Sequence, residues 1–286
     1  MAHVFRGRLA DNPFPRIILP HMLFLLSPAK ALDFKSPVSI QSEGVPRFVP
    51  QAKELVRILA QLSPVELARL MNLSDKLAAL NVARFQAWQV NPKVEEIRAA
   101  VLAFDGDVYD GLNAKSLKQE SIEWLQRHLR ILSGLYGILR PLDPIQPYRL
   151  EMGTRLNNPK GVDLYQYWGD RISGALRADM TELGGEQSVI NLASIEYFKS
   201  AQALRKKTRV IDCIFEERRG SGYSVVSFYA KKARGMMMRF AAEHQVESAE
   251  ELKAFDSAGY AFSAGASLPD RWVFRRDTVL GDVMVR

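Results

Sequence analysis

Apolar residues fall along this chain in runs of two kinds. Met22–Leu26 (MLFLL) is continuously apolar and is halted by Ser27-Pro28, which predicts a buried strand followed by a break. The spacing then turns helical. Residues 51–62 and 63–71 carry apolar side chains three and four apart, and Ser63-Pro64-Val65-Glu66 has the form of a capping box with proline at the first helical position. Leu73, Leu77, Leu80 and Trp88, with Phe85 beside them, continue a stripe along a helix over 75–89, and 94–104 predicts another. Loops are expected around GDVYDG and an amphipathic helix over 121–132. Gly134, Gly137 and the prolines of RPLDPIQPY then impose an extended connection. Leu132, Leu135, Tyr136, Ile138 and Leu139 read as core.

Helix resumes over 164–183. After Gly184-Gly185 come three β-like runs, SVINLA, TRVIDCIF and YSVVSFYA, then a helix over 230–244 and a last β-like run, WVFRR. No internal repeat, low-complexity tract or linker interrupts the pattern, so residues 22–286 are expected to form one mixed α/β domain. Residues 1–21 hold Pro13, Pro15, Pro20 and scattered arginines without a long apolar core. They read as an appendage, either a disordered tail or the product of a start assigned upstream of Met22.

Composition narrows the class. With 286 residues, 47% of them hydrophobic, the chain can bury a sizeable core, and no apolar run is long enough to span a bilayer as a helix. Lys and Arg total 39 against 32 Asp and Glu, a formal charge of +7 with a pI near 9.5, which favours polyanionic partners if the excess is gathered on one surface. A single cysteine, Cys213, excludes an intramolecular disulfide and reads as a buried, inert thiol in a reducing cytoplasm.

Three segments share one arrangement: LFLLSPAK, VINLASIEYFK and VVSFYAKKARG each run from an apolar strand into small or polar residues and then into basic ones. Ligands of α/β proteins bind beyond the carboxyl ends of strands. Lys30, Lys199, Lys231, Lys232 and Arg234 are therefore expected to converge on one cleft. Lys231, Lys232 and Arg234 fall in the first turn of the expected helix, where the macrodipole disfavours cations unless an anion is bound. Alternatively the helix starts a turn later, or these side chains pair with acids such as Glu196. Arg140 and Arg149, beside prolines that hold extended backbone, are further contact candidates, with Tyr148 nearby.

The stretch LMNLSDKLA, residues 70–78, fits the register of a helix-hairpin-helix: Leu70, a turn of Asn72, Leu73 and Ser74, and a small Ala78 four places on. Asn72, Ser74 and Lys76 would then aim backbone N–H groups and charge at a phosphate. Both glycines of that signature are replaced, and Asp75 opposes an anion, so a plain αα-hairpin is the alternative. For chemistry, Lys30 or Lys231 could serve as a nucleophile with Glu151, Asp170 or Glu196 as acid or base. Asp105, Asp107 and Asp110 lack the remaining ligands of a calcium loop, and His3, His21, His128 and His244 are dispersed. With no P-loop, dinucleotide fingerprint or nucleophile elbow either, no metal and no cofactor are expected.

SPAKALDF, SDKLA, GDVYDGL, LSGLYGILRPLDPIQPYRLEMG, LYQYWGD, NLASIEYFKS and SFYAKKARG, in that order, together resemble the YaaA family of bacterial peroxide-stress proteins from Met22 to about Phe262. The resemblance implies a cytoplasmic, DNA-binding protein of the oxidative stress response, an α/β architecture called the cantaloupe fold, a positively charged cleft and a helix-hairpin-helix. It places the hairpin on residues 70–78 and the cleft on the cations named above. It also implies duplex, bubble or junction DNA as the partner, bound without sequence readout, and points to no membrane and no obligate protein partner. The alternative is an enzyme acting on nucleic acid or nucleotides in the same cleft. One cysteine has no resolving partner, so the peroxide link points to protection of DNA or to iron handling rather than to a dithiol switch.

Overall fold

A computed structural model describes residues 22–38, 40–183 and 187–277. The extension expected at 1–21 lies outside them. Strand β1 (Met22–Leu26) is buried along its whole length, as a continuous apolar run requires when both faces of a sheet are covered. It sits mid-sheet between β2 (Leu129–Ser133) and β4 (Ser188–Asn191), parallel to both. Beyond β4 lie β5 (Arg209–Arg219) and β8 (Arg271–Arg276), again parallel. The margins are antiparallel: β3 (Gly137–Leu139) on β2, β6 (Gly222–Ser224) on β5 and β7 (Tyr260–Phe262) on β8. From β1 the chain goes on to join the β2 side, whereas from β4 it continues to the β5 side. The crevice beyond the carboxyl ends of β1 and β4 is therefore a topological switch point, the usual ligand position in open α/β sheets.

The helices α1 (Val49–Leu59), α2 (Pro64–Met71) and α3 (Asp75–Ala87) follow β1. Ser63 and Glu66 form the expected capping box at the start of α2. The expected stripe on α3 is displaced. Ala78, Asn81, Val82 and Phe85 face inward, while Leu77 and Leu80 are 38% and 45% exposed. Because Ala78 is fully buried, α3 is close to its neighbours on that face, and the larger leucines turn outward.

Several other expectations are corrected. The segment 94–104 is not one helix. Arg98–Ala99 pairs antiparallel with Pro144–Ile145, and the Ala100 and Val101 N–H groups donate to Asp143 and Pro141 carbonyls, so tertiary pairing overrides helical spacing. GDVYDG is no loop but α4 (Asp107–Leu112). The helix α5 (Gln119–His128) stops before Leu129, and the connection expected to be extended instead holds the β2–β3 hairpin. The helix expected over 164–183 is broken into α6 (Leu164–Trp168) and α7 (Arg171–Leu183) at Gly169, whose φ of +50° suits glycine. YSVVSFYA leaves the sheet after Ser224. Helix α9 (Ser227–Glu243) begins there, after the short α8 (Ile195–Phe198) that follows β4.

No described helix is long and apolar enough to cross a membrane. Cys213 lies buried in β5, where burial pushes its thiol pKa far above the ordinary value.

Candidate functional site

The two strand ends at the switch point are tied together. Leu192 donates its N–H to the Leu25 carbonyl, extending the β1–β4 ladder. Two residues on, the Ser194 N–H donates to Ser27 Oγ at 2.9 Å and the Ser27 hydroxyl donates to Ser194 Oγ at 3.3 Å. Ser194 Oγ also accepts the Tyr197 N–H, opening α8. Both strands thus end in a serine that turns the chain outward. A cleft of about 500 Å³ opens above them.

Besides Ser194, Glu196 and Tyr197 at the start of α8, four segments wall this cleft. Pro28, Ala29 and Lys30 continue β1, and Ala31–Leu32 pairs with Phe104–Asp105, which brings Asp105, Gly106 and Asp107 alongside. Tyr148, Arg149, Leu150 and Glu151 come from the proline-rich segment. It approaches the β2–β3 turn so closely that a Cβ on Gly134 would stand 2.3 Å from the Leu150 carbonyl oxygen. Tyr148 shares a hydrogen bond of 2.7 Å with Ser133 Oγ. The fourth wall is α9. It crosses α4 with Gly111 against the Lys232 carbonyl and Gly235 against the Val108 carbonyl, where added Cβ atoms would come within 2.1 and 1.8 Å. That close crossing holds Lys231 and Arg234 over the cleft.

Lys30, Arg149, Lys231 and Arg234 therefore converge, but not as a groove of cations alone. Asp105, Asp107, Glu151 and Glu196 line the same space. Glu151 accepts from Lys30 Nζ at 2.9 Å and from Arg149 Nη2 at 3.0 Å. Lys231 Nζ lies 3.9 Å from Asp107, the acid nearest it, rather than near Glu196. Glu196 accepts the Gly153 N–H at 2.8 Å, and no cation pairs with it among the described residues. Arg234 has no carboxylate partner among them either. Its Nε and that of Arg149 are buried without an acceptor, and burial lowers the Arg234 pKa. Burial also pushes the hydroxyl pKa values of Tyr109, Tyr148 and Tyr197 upward, so all three stay protonated donors.

The other expected site residues are dispersed. Lys199 lies in an adjoining groove of about 1090 Å³ with Arg205, Lys206 and Asp170, and its Nζ stacks 4.4 Å from the centre of the Tyr165 ring; Arg234 borders both spaces. Lys232 faces a separate hollow with Arg239 and Glu243. Helix α9 starts at Ser227, a full turn before Lys231, so these cations do not oppose the helix dipole; the later start expected as the alternative is replaced by an earlier one. Arg140 is absent from the cleft. It joins Arg47 and Arg130 around the buried Asp179, where the Arg130 Nε–Asp179 contact is 2.6 Å. Arg130 belongs to β2 and Arg140 follows β3, so this cluster sits at the β2–β3 margin of the sheet, in a hollow that shares no residue with the cleft.

Asn72, Ser74 and Lys76 form the expected αα-turn, with Asn72 left-handed at φ 51° and Leu73 N–H bonded to the Ala68 carbonyl. They do not line the cleft. Asp105 ends the short Phe104–Asp105 pairing and Asp107 opens α4, and among the described residues no cluster of three His, Cys, Asp or Glu is placed to hold a metal ion.

Sequence reasoning missed Ser27 and Ser194 as organising residues, although SPAK and LASI each place serine just after a strand. It also missed Arg205 and Lys206 in the adjoining groove, for which sequence offers no signal beyond charge.

A sequence model of the family described as "Peroxide stress protein YaaA" matches residues 22–266. A UPF0246 protein of Albidiferax ferrireducens is 55% identical over 259 residues, covering 91% of this chain and 100% of that protein. UPF0246 proteins of Bordetella avium and of an Azoarcus species are each 52% identical, covering 89% of this chain and 99% of their own length.

Proposed function

The chain belongs to the family of peroxide stress protein YaaA, and from that membership and the cleft we propose that it is a cytoplasmic DNA-binding protein of the hydrogen peroxide stress response. It binds duplex or branched DNA without reading sequence and protects it, or limits iron-driven damage to it. One observation carries this: Arg234, partly buried and without a carboxylate partner among the described residues, lines a cleft at the sheet's switch point together with Lys30, Arg149 and Lys231. A guanidinium without a carboxylate in a desolvated setting gains most from a phosphate, which supplies bidentate acceptors. Lys199, Arg205 and Lys206 extend the cationic rim into the adjoining groove, giving a strand a path longer than one nucleotide.

The αα-turn supplies a second phosphate contact as a helix-hairpin-helix does. The Ser74 side chain makes no capping bond, so the first-turn N–H groups of α3 stay available, with Lys76 exposed beside them. Asp75 in the same turn weakens that contact, so the cleft contributes more.

A second reading is favoured by the four carboxylates among the cations: an enzyme acting on nucleic acid or nucleotides, with Lys30 held by Glu151 and Glu196 paired with no cation among the described residues. Incubation of the purified chain with end-labelled duplex and bubble DNA at low salt tests both. Retarded, chemically intact DNA fits the binding protein. Cleaved or base-depleted DNA fits the enzyme, and neither retardation nor alteration contradicts both.

A further inference from the structure

Carboxylates are out of place in a cleft that takes phosphate alone, because each one repels the anion it flanks. Here Glu151 and Glu196 line the same space as apolar surface from Pro28, Ala29, Val108 and Leu150, with the buried rings of Tyr148 and Tyr197. Ionised carboxylates only accept hydrogen bonds. The arrangement suits a flat, partly apolar ligand that presents N–H donors at one edge and also carries an anionic group. From this we infer that the cleft receives one unpaired nucleobase of the bound DNA, its N–H edge hydrogen-bonded by Glu196 and Glu151, while Arg234, Lys231 and Lys30 hold the flanking phosphates. This deepens the DNA-binding function proposed above and rests on it.

Three features support the assignment. The volume, about 500 Å³, falls within the range of small-molecule sites and accommodates a base with its sugar. Glu196 is held in place by its bond from the Gly153 N–H, and Gly153 lacks a side chain that would stand 3.1 Å from Glu196 Oε1, so one carboxylate is fixed and no cation among the described residues neutralises it. The Arg234 guanidinium, which meets no carboxylate among the described residues, lines the same cleft, so a free acceptor and a free donor group share one space. Guanine fits best, since its N1–H and exocyclic amino group present two adjacent donors to one carboxylate. Cytosine and adenine each offer an amino group, and thymine only a ring N–H.

The test compares the full chain's affinity for three labelled duplexes: fully paired, with one unpaired guanine, and with a tetrahydrofuran abasic residue at that position. Binding of free guanosine 5′-monophosphate is measured in parallel. The unpaired guanine should bind about tenfold tighter than the abasic duplex, a difference of one good base contact. Glu196→Gln, which keeps an oxygen for the Gly153 N–H, should reduce that ratio towards one without weakening the fully paired duplex. Glu151→Gln should act in the same direction, and thermal unfolding of each variant excludes a folding defect. Equal affinity for guanine and abasic duplexes overturns the inference and leaves DNA binding intact. Saturable binding of the nucleotide, lost in Glu196→Gln, with no binding to any duplex supports the base site and overturns the DNA-binding function. Binding of neither overturns both.

Discussion

The Ser194 N–H donates to Ser27 Oγ at 2.9 Å, joining residues 167 positions apart across the ends of two parallel strands. Parallel strands diverge beyond their last ladder bond, and this side chain closes the gap where the cleft begins. Ser27→Ala leaves the Ser194 N–H without its acceptor and is expected to destabilise the chain by about 1–3 kcal/mol. Urea unfolding of the variant measures the loss, and an unchanged midpoint would show that the two strand ends do not depend on it.

The crossing of α4 and α9 sets where Lys231 and Arg234 stand. A Cβ at Gly235 would lie 1.8 Å from the Val108 carbonyl oxygen, a backbone atom that cannot swing aside. Gly235→Ala is expected to cost about 3 kcal/mol and to weaken DNA binding by displacing α9 from the cleft. Thermal unfolding and a binding titration on the same sample would measure both effects, and normal values in both would show that the crossing tolerates the added methyl.

Asp179 anchors a cluster of arginines beside the β2–β3 margin of the sheet. It is buried against Arg130, which is 3% exposed, and also meets Arg47 and Arg140. Asp179→Ala would leave Arg130 charged and unpaired in the interior, at an expected cost of about 3–5 kcal/mol. DNA affinity of the fraction that remains folded should be unchanged, because Arg140 lies outside the cleft. Denaturant unfolding and DNA titration separate the two outcomes.

Asp143, beside that cluster, has its pKa raised by burial from 3.8 to about 6, against the lowering effects of the Arg140 backbone N–H and of Arg140, Arg130 and Arg47. A raised carboxyl pKa means that the folded state holds the proton more tightly than the unfolded one. Stability from this group is therefore greatest in acid and declines as pH rises from about 4 to about 6, by roughly 3 kcal/mol at most. Asp143→Asn should flatten that part of the profile. Unfolding free energies at several pH values read the slope directly, and a variant slope equal to the parent's would contradict the assignment.

Much of this architecture was legible because local chemistry and tertiary structure agree. The continuous apolar run of β1, the capping box at Ser63 and the turn at Asn72–Ser74 are local statements that packing leaves in force. Val94 to Phe104 was not legible, since pairing of Arg98 with Ile145 overrides a helical spacing. Nor was GDVYDG, whose two glycines read as turn signals; Gly106 does turn the chain, at φ +147°, but Gly111 is there to let α9 approach. In the site, strand ends and charge group Lys30, Lys199, Lys231, Lys232 and Arg234; Lys30, Lys231 and Arg234 line one cleft, joined by Arg149, whereas Lys199 and Lys232 face other spaces. Arg140 was not separable from Arg149, because the chain between them carries Arg140 to a separate hollow at the β2–β3 margin by tertiary pairing. Burial of Arg276 against Glu217, both 2% exposed or less, was likewise invisible in WVFRR, where the arginines look alike.

The salt dependence of DNA binding tests the central claim most directly. For a paired duplex, replacing Lys231 and Arg234 together by glutamine should lower affinity and reduce the slope of log K against log salt by about two, since each phosphate left without its cation takes roughly 0.9 from the slope. Replacing Arg140 and Lys232 together, which removes equal charge outside the cleft, should leave that slope nearly unchanged. Equal weakening by the two double replacements, or none by the first, would contradict binding through the cleft.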